Sequence, residues 1–338
     1  MKAMTQLTSI EICAGAGGQA LGVERAGFEH QVLVEIDAHA AETLRINRPR
    51  WKVIGPRVGE AVPVGGTPGD VRGFSALEWE GKVDLLAGGV PCPPFSAAGK
   101  QLGADDERNL FPEALRLVGE CWPRAVLLEN VRGLLDPKFT AYRAAIDDQL
   151  RRMGYEPAWR LLQAADYGVP QLRPRTILVA LPPDLAWNFQ WPAPSVVRPP
   201  TVGDCLHDLM AANGWEGADA WRTNASRIAP TLVGGSKKHG GPDLGPTRAR
   251  REWAAMGVDG RGIADSAPMP GFSEMPRLTV RMAARIQGFD DDWAFAGRKT
   301  AQYRQIGNAF PPPVAEAVAR EIAAVLRDAD ERPGRRAA

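Results

Sequence analysis

The sequence predicts an α/β fold on a doubly wound, mainly parallel sheet, with a second, smaller and loop-rich domain. Three observations carry this. From Thr8 to Arg152 short apolar runs alternate with helical stretches. A glycine-rich turn, Ala14-Gly15-Ala16-Gly17-Gly18, joins the first run to the first helical stretch. After Leu181-Pro182-Pro183 the alternation fades, and prolines, glycines and tryptophans punctuate the chain to about Pro276. At 338 residues the chain exceeds what one hydrophobic core usually spans, so two unequal domains are expected. The larger takes residues 1–181 and 277–338, with a C-terminal helix packing back on it, and the smaller takes 182–276.

Thr8 to Cys13 reads as the first strand, and the glycine turn leads from it into a helix over Gln19 to Ala26. Such a turn lets backbone N–H groups and the helix amino end approach a ligand closely. Gln31 to Glu35 is the second strand, ending in a carboxylate twenty positions after Gly15, where doubly wound nucleotide sites hold a ribose. Asp37 suits the amino cap of a helix running to about Asn47. Residues 49–67 are a loop, and Gly69-Asp70-Val71 adds a further carboxylate, which in isolation reads as a turn residue.

Val83 to Ala87 is a buried strand leading into Gly88-Gly89-Val90-Pro91-Cys92-Pro93-Pro94-Phe95-Ser96. Each proline fixes its own φ and restricts the residue before it, so the backbone around Cys92 has few conformations. That frame suits a nucleophile, although a stiff loop around an inert, packed cysteine has the same local sequence. The glycine-bearing segment that follows, through Gly99, Gly103 and the charged group Asp105 to Arg108, is long enough to close as a lid. Asn109 to Cys121 is helical in pattern, and Ala125 to Glu129 is a strand ending in Glu129-Asn130-Val131. Glu11, Glu35, Cys92 and Glu129 therefore lie at or near strand carboxyl ends, the rim where open parallel sheets bind ligands.

Arg160 to Gln163 and Thr176 to Ala180 are two further strands, with Gln171-Leu172-Arg173-Pro174-Arg175 before the second. Alternating arginines on an extended segment share a face, where they could clamp a phosphate or brace a carboxylate; solvated arginines have the same spacing. Between Arg222 and Arg251 seven basic residues, Lys237, Lys238, Arg248, Arg250 and Arg251 among them, face the single acid Asp243. Such an excess suits phosphates, and a solvated loop domain is the alternative. Regular pattern returns at Arg277, and the last helix carries Val314, Val318, Ile322, Val325 and Leu326 as one apolar stripe.

Four dispersed cysteines without a Cys-x-x-Cys pair argue against a disulfide framework or a zinc site, and so for a reducing compartment. The amino terminus has no apolar signal core and no run approaches the ~20 residues of a spanning helix, which together predict a cytoplasmic protein without a metal. The net charge of +1 hides the local basic excess.

Taken in order, the glycine turn, the Pro-Cys loop, Glu129-Asn130-Val131, Gln171-x-Arg173-x-Arg175, the basic segment, Arg277-Leu278-Thr279 and Gln305-x-Gly307-Asn308 resemble the DNA cytosine-5 methyltransferase family, of the bacterial restriction-modification type. The resemblance covers nearly the whole chain, and its most specific pair is the Pro-Cys loop with Glu-Asn-Val. It implies a Rossmann-like S-adenosylmethionine-dependent methyltransferase domain and a target-recognition domain that grips double-stranded DNA. It implies that the cofactor lies on Glu11, Cys13, Ala14, Gly15, Gly17 and Gly18, with Glu35 on the ribose hydroxyls, Ile36 against the adenine, Asp70 at its amino group and Val71 beside it. Leu110 and Asn308 match further cofactor-lining positions. Cys92 is then the nucleophile, Glu129 binds the cytosine edge, and Arg173 and Arg175 steady the base or brace the site. Ser96, Lys237, Lys238, Arg248, Arg250 and Arg251 contact DNA, from which the target base is flipped.

The segment Pro230 to Arg251 looks like domains that read short GC-rich palindromes of the GG…CC kind. The resemblance further implies a monomer and a cognate restriction endonuclease acting on the same site. Two departures stand out: Cys13 occupies a position where an aromatic is common, and Pro93 replaces a frequent glutamine. The tRNA-methylating branch is the nearest rival, but its Cys-Phe-Thr signature is missing, since Cys205 is followed by Leu206-His207. A nicotinamide-dependent oxidoreductase would use the glycine turn and Glu35 but leaves Cys92, Glu129 and the basic segment unexplained. A DNA-binding protein without catalysis leaves Cys92 and Glu129 idle.

Overall fold

The structure, a computed structural model, describes residues 6–61, 66–91, 109–235 and 243–331. It divides into two compact units, one drawn from residues 1–162, 174–193 and 314–338, the other from 163–173 and 194–313.

The first unit is built on a seven-stranded sheet. Its strands are β1 (Leu7–Ile12), β2 (Phe28–Val34), β3 (Val53–Ile54), β4 (Leu85–Gly89), β5 (Ala125–Val131) and β6 (Glu156–Gln163). After a short strand β7 (Gln171–Leu172) of the other unit comes β8 (Pro174–Leu181). The order is β3-β2-β1-β4-β5-β8-β6; the first five are parallel and β8 runs antiparallel to β5. The central strands β1, β4 and β5 are buried along almost their whole length, which is why β4 and the first half of β5 appear in the sequence as apolar runs, while β1 carries Ser9 and Glu11 into the interior.

Helices α1 (Gly18–Arg25), α2 (Ala38–Asn47), α3 (Phe111–Cys121) and α4 (Thr140–Arg152) alternate with the strands, and a single turn α5 (Pro183–Ala186) follows β8. Ile10, Ile12, Leu86, Val126 and Leu128 pack with Phe111, Leu115 and Val118 of α3 in one core. Asp37 caps α2, accepting from the N–H groups of His39 at 2.9 Å and Ala40 at 3.1 Å. The strand order reverses between β1 and β4. In open α/β sheets ligands sit in the crevice outside the strand carboxyl ends at such a switch point. Here that crevice lies between the turn after β1 and Gly88-Gly89 of β4.

The second unit is mainly helical. It holds α6 (Val202–Ala211), α7 (Ala218–Asn224), a short strand β9 (Ala229–Pro230) paired in parallel with β7, α8 (Thr247–Ala254), α9 (Val280–Gln287) and α10 (Lys299–Asn308). The segment predicted to be loop-rich, 182–276, thus carries, among the described residues, the single turn α5 and the three short helices α6, α7 and α8 joined by longer loops. The chain returns to the first unit as α11 (Pro312–Glu331), where Arg124 bridges Asp84 at 2.9 Å and Asp330 of the helix at 2.8 Å. Among the described residues no helix is long and apolar enough to cross a membrane.

One buried group under this sheet sets a pH response. His30 of β2 lies 2.9 Å from both Ser9 Oγ and the Ala20 carbonyl and stands edge-on to Trp51. Burial outweighs the Ala20 carbonyl and lowers the imidazole from 6.5 to about 4. As pH falls through 6.5 the unfolded chain takes up a proton that the folded protein refuses until about 4, so stability is lost across that window. At about pH 5 the linkage amounts to about 2 kcal/mol. His30→Gln is expected to lose less stability between about pH 7 and pH 5 than the parent, as denaturant midpoints of the two proteins will report. Equal losses would contradict this, and other titrating groups cancel in the comparison.

Candidate active site and cofactor crevice

The chain leaves β1 through Cys13, whose φ of 52° lies in the left-handed region, and continues through Gly15 at 56° and Gly17 at 85°. Only glycine adopts that region without cost, so two of the three positions are glycines and Cys13 is held by its surroundings. The folded turn brings its N–H groups back toward β2. Ala14 donates to the Val34 carbonyl at 3.1 Å, and Gly15 donates to Glu35 Oε2 at 2.6 Å. Glu35 Oε1 accepts from the Asp37 N–H at 2.7 Å. The carboxylate twenty positions after the turn therefore closes directly onto it.

Two glycines enclose the backbone of Glu35. A Cβ at Gly55 would stand 2.4 Å from its carbonyl oxygen, and one at Gly69, where φ is +83°, would stand 2.1 Å away. Asp70, next in the chain, is half-buried and accepts from the Arg72 N–H at 3.1 Å. Ile36 presents an apolar side chain that is 50% exposed beside Glu35. Val71 is buried in the core under the rim, and Leu110 packs on the same core at the start of α3.

The floor of the crevice follows from register. Glu11 of β1 pairs with Ala87 of β4, and Gly89 pairs with Glu129 of β5, so these residues share one face of the sheet. Glu11 is fully buried, and neither carboxylate oxygen has a hydrogen-bond partner among the described residues. Burial, reinforced by the nearby Glu35 carboxylate, raises its pKa well above the usual carboxylate range. An acceptor left this way asks for a cationic donor, which fits a sulfonium cofactor carrying an ammonium group. Glycine is needed at β4, because a Cβ at Gly88 would stand 2.6 Å from Ile12 Cγ1.

Glu129 Oε1 pairs with Arg175 Nε at 2.7 Å, both side chains being 11% exposed. The antiparallel register places Arg175 opposite Val131, two residues beyond Glu129, so the guanidinium reaches diagonally across the sheet face. Oε2 turns toward Gly89, where a Cβ would stand 3.5 Å from it. Asn130 Nδ2 donates to the Val90 carbonyl at 3.2 Å, which ties the end of β5 to the backbone just before Pro91. Cys92, Pro93 and Ser96 lie outside the described residues, as do Lys237 and Lys238.

The other thiols are poor nucleophiles. Burial, with the carboxylates of Glu35, Asp70 and Glu11, pushes Cys13 far up; chiefly burial takes Cys121 up to about 12 and, against the opposing charge of Arg285, Cys205 up to about 11.

Arg173 does a different job from Arg175. It is 1% exposed, and its guanidinium donates to the main-chain carbonyls of Leu232 at 2.8 Å, Gly307 at 2.8 Å and Ala309 at 2.9 Å. Gln171 accepts from the Leu232 N–H at 2.8 Å and donates to Gln287 Oε1 at 2.8 Å, extending a buried polar network within the second unit. Asn308 Nδ2 donates to the Gly235 carbonyl at 3.3 Å, and a Cβ at Gly307 would stand 2.4 Å from the Gly234 nitrogen. Arg248, Arg250 and Arg251 fall on the short helix α8: Arg248 and Arg251 are exposed, Arg250 is half-buried, and Trp253 anchors the inner face.

Sequence reasoning passed over Gln19 and Gln287, and named Asn130 only as part of the Glu-Asn-Val motif, without a role of its own. For Gln19 the available signal is a lone polar residue in a helix whose first six positions are all buried.

The chain is 57% identical over 325 residues to the Type II methyltransferase M.NgoMIV of Neisseria gonorrhoeae, covering 95% of this chain and 99% of that one. It is also 57% identical over 326 residues to the Type II methyltransferase M.NaeI of Lentzea aerocolonigenes, covering 96% and 76%. In fold it is similar to the crystal structure of Spodoptera frugiperda DNMT2, with a TM-score of 0.61 at 18% identity over 94% of this chain and 99% of that chain. The sequence model described as C-5 cytosine-specific DNA methylase matches residues 7–324. The chain belongs to that family and is a DNA cytosine-5 methyltransferase that uses S-adenosyl-L-methionine.

Proposed function

We propose that the protein methylates C5 of cytosine within a specific short, GC-rich palindromic sequence of double-stranded DNA. In this mechanism a covalent bond forms between Cys92 and C6 of a base turned out of the duplex. The observation that carries this is the buried Glu129–Arg175 pair, on the sheet face that leads through Gly89 to the Pro-Cys loop.

Cytosine C5 is a weak nucleophile. Attack of the Cys92 thiolate on C6 forms an S–C6 bond and moves the C5–C6 π electrons onto C5. S-adenosylmethionine, when bound, supplies the electrophilic methyl group. Glu129 holds the N3 and exocyclic amine edge, stabilising charge as the adduct forms and selecting cytosine over thymine. Arg175 fixes the Glu129 carboxylate and stands ready for the base or its phosphate. Arg173 braces the surrounding chain through the three carbonyls it binds. Loss of the C5 proton, with water as base, then expels the Cys92 thiolate and leaves 5-methylcytosine.

Glu35 would hold the ribose hydroxyls, Ile36 the adenine face and Asp70 its amino group, with Val71 beside it. Cys13, Ala14, Gly15, Gly17 and Gly18 would hold the methionyl end above Glu11, with Leu110 and Asn308 as further lining. Residues 182–276 would read DNA, with Ser96, Lys237, Lys238, Arg248, Arg250 and Arg251 on phosphates or bases. We place the enzyme in the cytoplasm, as a monomer, protecting host DNA against a restriction endonuclease with the same site.

Gly69→Ala probes the cofactor rim. Overpacking against the Glu35 carbonyl and a positive φ together cost about 2 kcal/mol. The variant is expected to melt lower and bind S-adenosylmethionine more weakly by calorimetry, and an unchanged affinity would separate the Asp70 loop from the cofactor. The function as a whole is tested by bisulfite sequencing of DNA from cells expressing the chain. Protected cytosines confined to one short palindrome support it; unprotected DNA, or methyl label entering only tRNA, would overturn it.

A further inference from the structure

We propose that Gln19 binds the cofactor, its Oε1 accepting together with the Cys13 carbonyl from the α-ammonium of S-adenosylmethionine. The proposal rests on the crevice being the S-adenosylmethionine site. Gln19 stands in the first turn of α1, 3% exposed, among Gly18, Ala20, Leu21, Gly22 and Val23, which are all buried. A glutamine facing inward on such a helix needs a use for its amide.

One end of that amide is accounted for. Nε2 points at the Leu127 carbonyl of β5 at 3.5 Å, and turning the amide over would set two carbonyl oxygens against each other. Oε1 is thereby directed the other way, and among the described residues it has no hydrogen-bond partner. Its surroundings are read from Gly89. The position a Cβ would take there is 4.0 Å from Gln19 Oε1, 3.9 Å from the Cys13 carbonyl oxygen and 3.5 Å from Glu129 Oε2. Three oxygens from α1, the turn after β1 and β5 therefore converge on the side of β4 left open by glycine. Both Glu11 oxygens, without partners, lie on the same sheet face.

All of these groups accept hydrogen bonds. Their complement is a cation with several donors, and the α-ammonium offers three N–H bonds. The cofactor carboxylate is repelled here and suits the N–H groups at the amino end of α1. The sulfonium methyl has no N–H to offer.

The test compares calorimetric binding of S-adenosyl-L-homocysteine and of its des-amino counterpart, identical but for the α-amino group, to the parent protein, Gln19→Met and Gln19→Leu. Methionine keeps length and apolar volume without the acceptor, and leucine serves should methionine fail to fold. Loss of a hydrogen bond to a charged donor predicts about tenfold weaker binding of the amino ligand and unchanged binding of the des-amino ligand. Equal weakening of both ligands would assign Gln19 to packing and overturn the proposal, as would unchanged affinity for both. A parent protein that binds neither ligand would instead remove the cofactor assignment beneath it.

Discussion

Cys92→Ser is expected to abolish methyl transfer, lowering kcat by about 10⁴-fold or more, as when a covalent catalyst loses its nucleophile. Binding of DNA and of S-adenosylmethionine should survive, because neither depends on the sulfur. The loss should be this large because no other described thiol can substitute. Cys121 and Cys205 are pushed up to about 12 and about 11 by burial, and Cys13 sits among the carboxylates of Glu35, Asp70 and Glu11. Single-turnover transfer of labelled methyl groups measures it, with Cys205→Ser as the control that retains activity. Residual transfer within tenfold of the parent would mean that the S–C6 bond is not on the reaction path.

Glu129→Gln is expected to lower kcat by about 10²- to 10³-fold, the usual effect of removing one preorganised stabilising group. The same change leaves the Arg175 guanidinium, 11% exposed, without its carboxylate, and breaking a buried pair from one side costs about 3–5 kcal/mol. Stability and catalysis are separated by the double variant Glu129→Gln with Arg175→Met. It should recover part of the lost melting temperature and none of the activity. Recovery of both together would reduce Glu129 to a scaffold residue.

Much of the fold was legible because its signals are local. The strands β4 and β5 lie buried in the middle of a parallel sheet and so begin as apolar runs, and Asp37 announces the start of α2 by its capping chemistry. Strand β3, two residues inside a predicted loop, exists because the edge of β2 offers it partners. The helices α6, α7 and α8 are ten residues or fewer, too short to be stable alone, so tertiary packing decides them.

At the site, Glu35 and the glycine turn were legible from spacing, and their 2.6 Å contact is what that spacing encodes. Arg173 and Arg175 were not distinguishable: two positions apart on one extended segment, one is enclosed by carbonyls and the other meets Glu129. The difference arises from β8 lying antiparallel beside β5, a pairing between segments more than forty residues apart that no local pattern records. Gln19 was hidden for a related reason, since its meaning depends on the open side of Gly89 in another strand.

The central claim is that Cys92 bonds covalently to C6 of a flipped cytosine. A duplex carrying the methylated site identified by bisulfite sequencing, with 5-fluorocytosine at the target position, tests this most directly. Fluorine in place of the C5 hydrogen removes the proton whose loss expels the thiolate. Incubation with the protein and S-adenosylmethionine is expected to leave a denaturation-stable complex. Its proteolysed mass maps the DNA, carrying one added methyl group, to the peptide containing Cys92. Methylation of the ordinary duplex without any trapped species on the fluorinated one, or a trapped species on another residue, would contradict the mechanism.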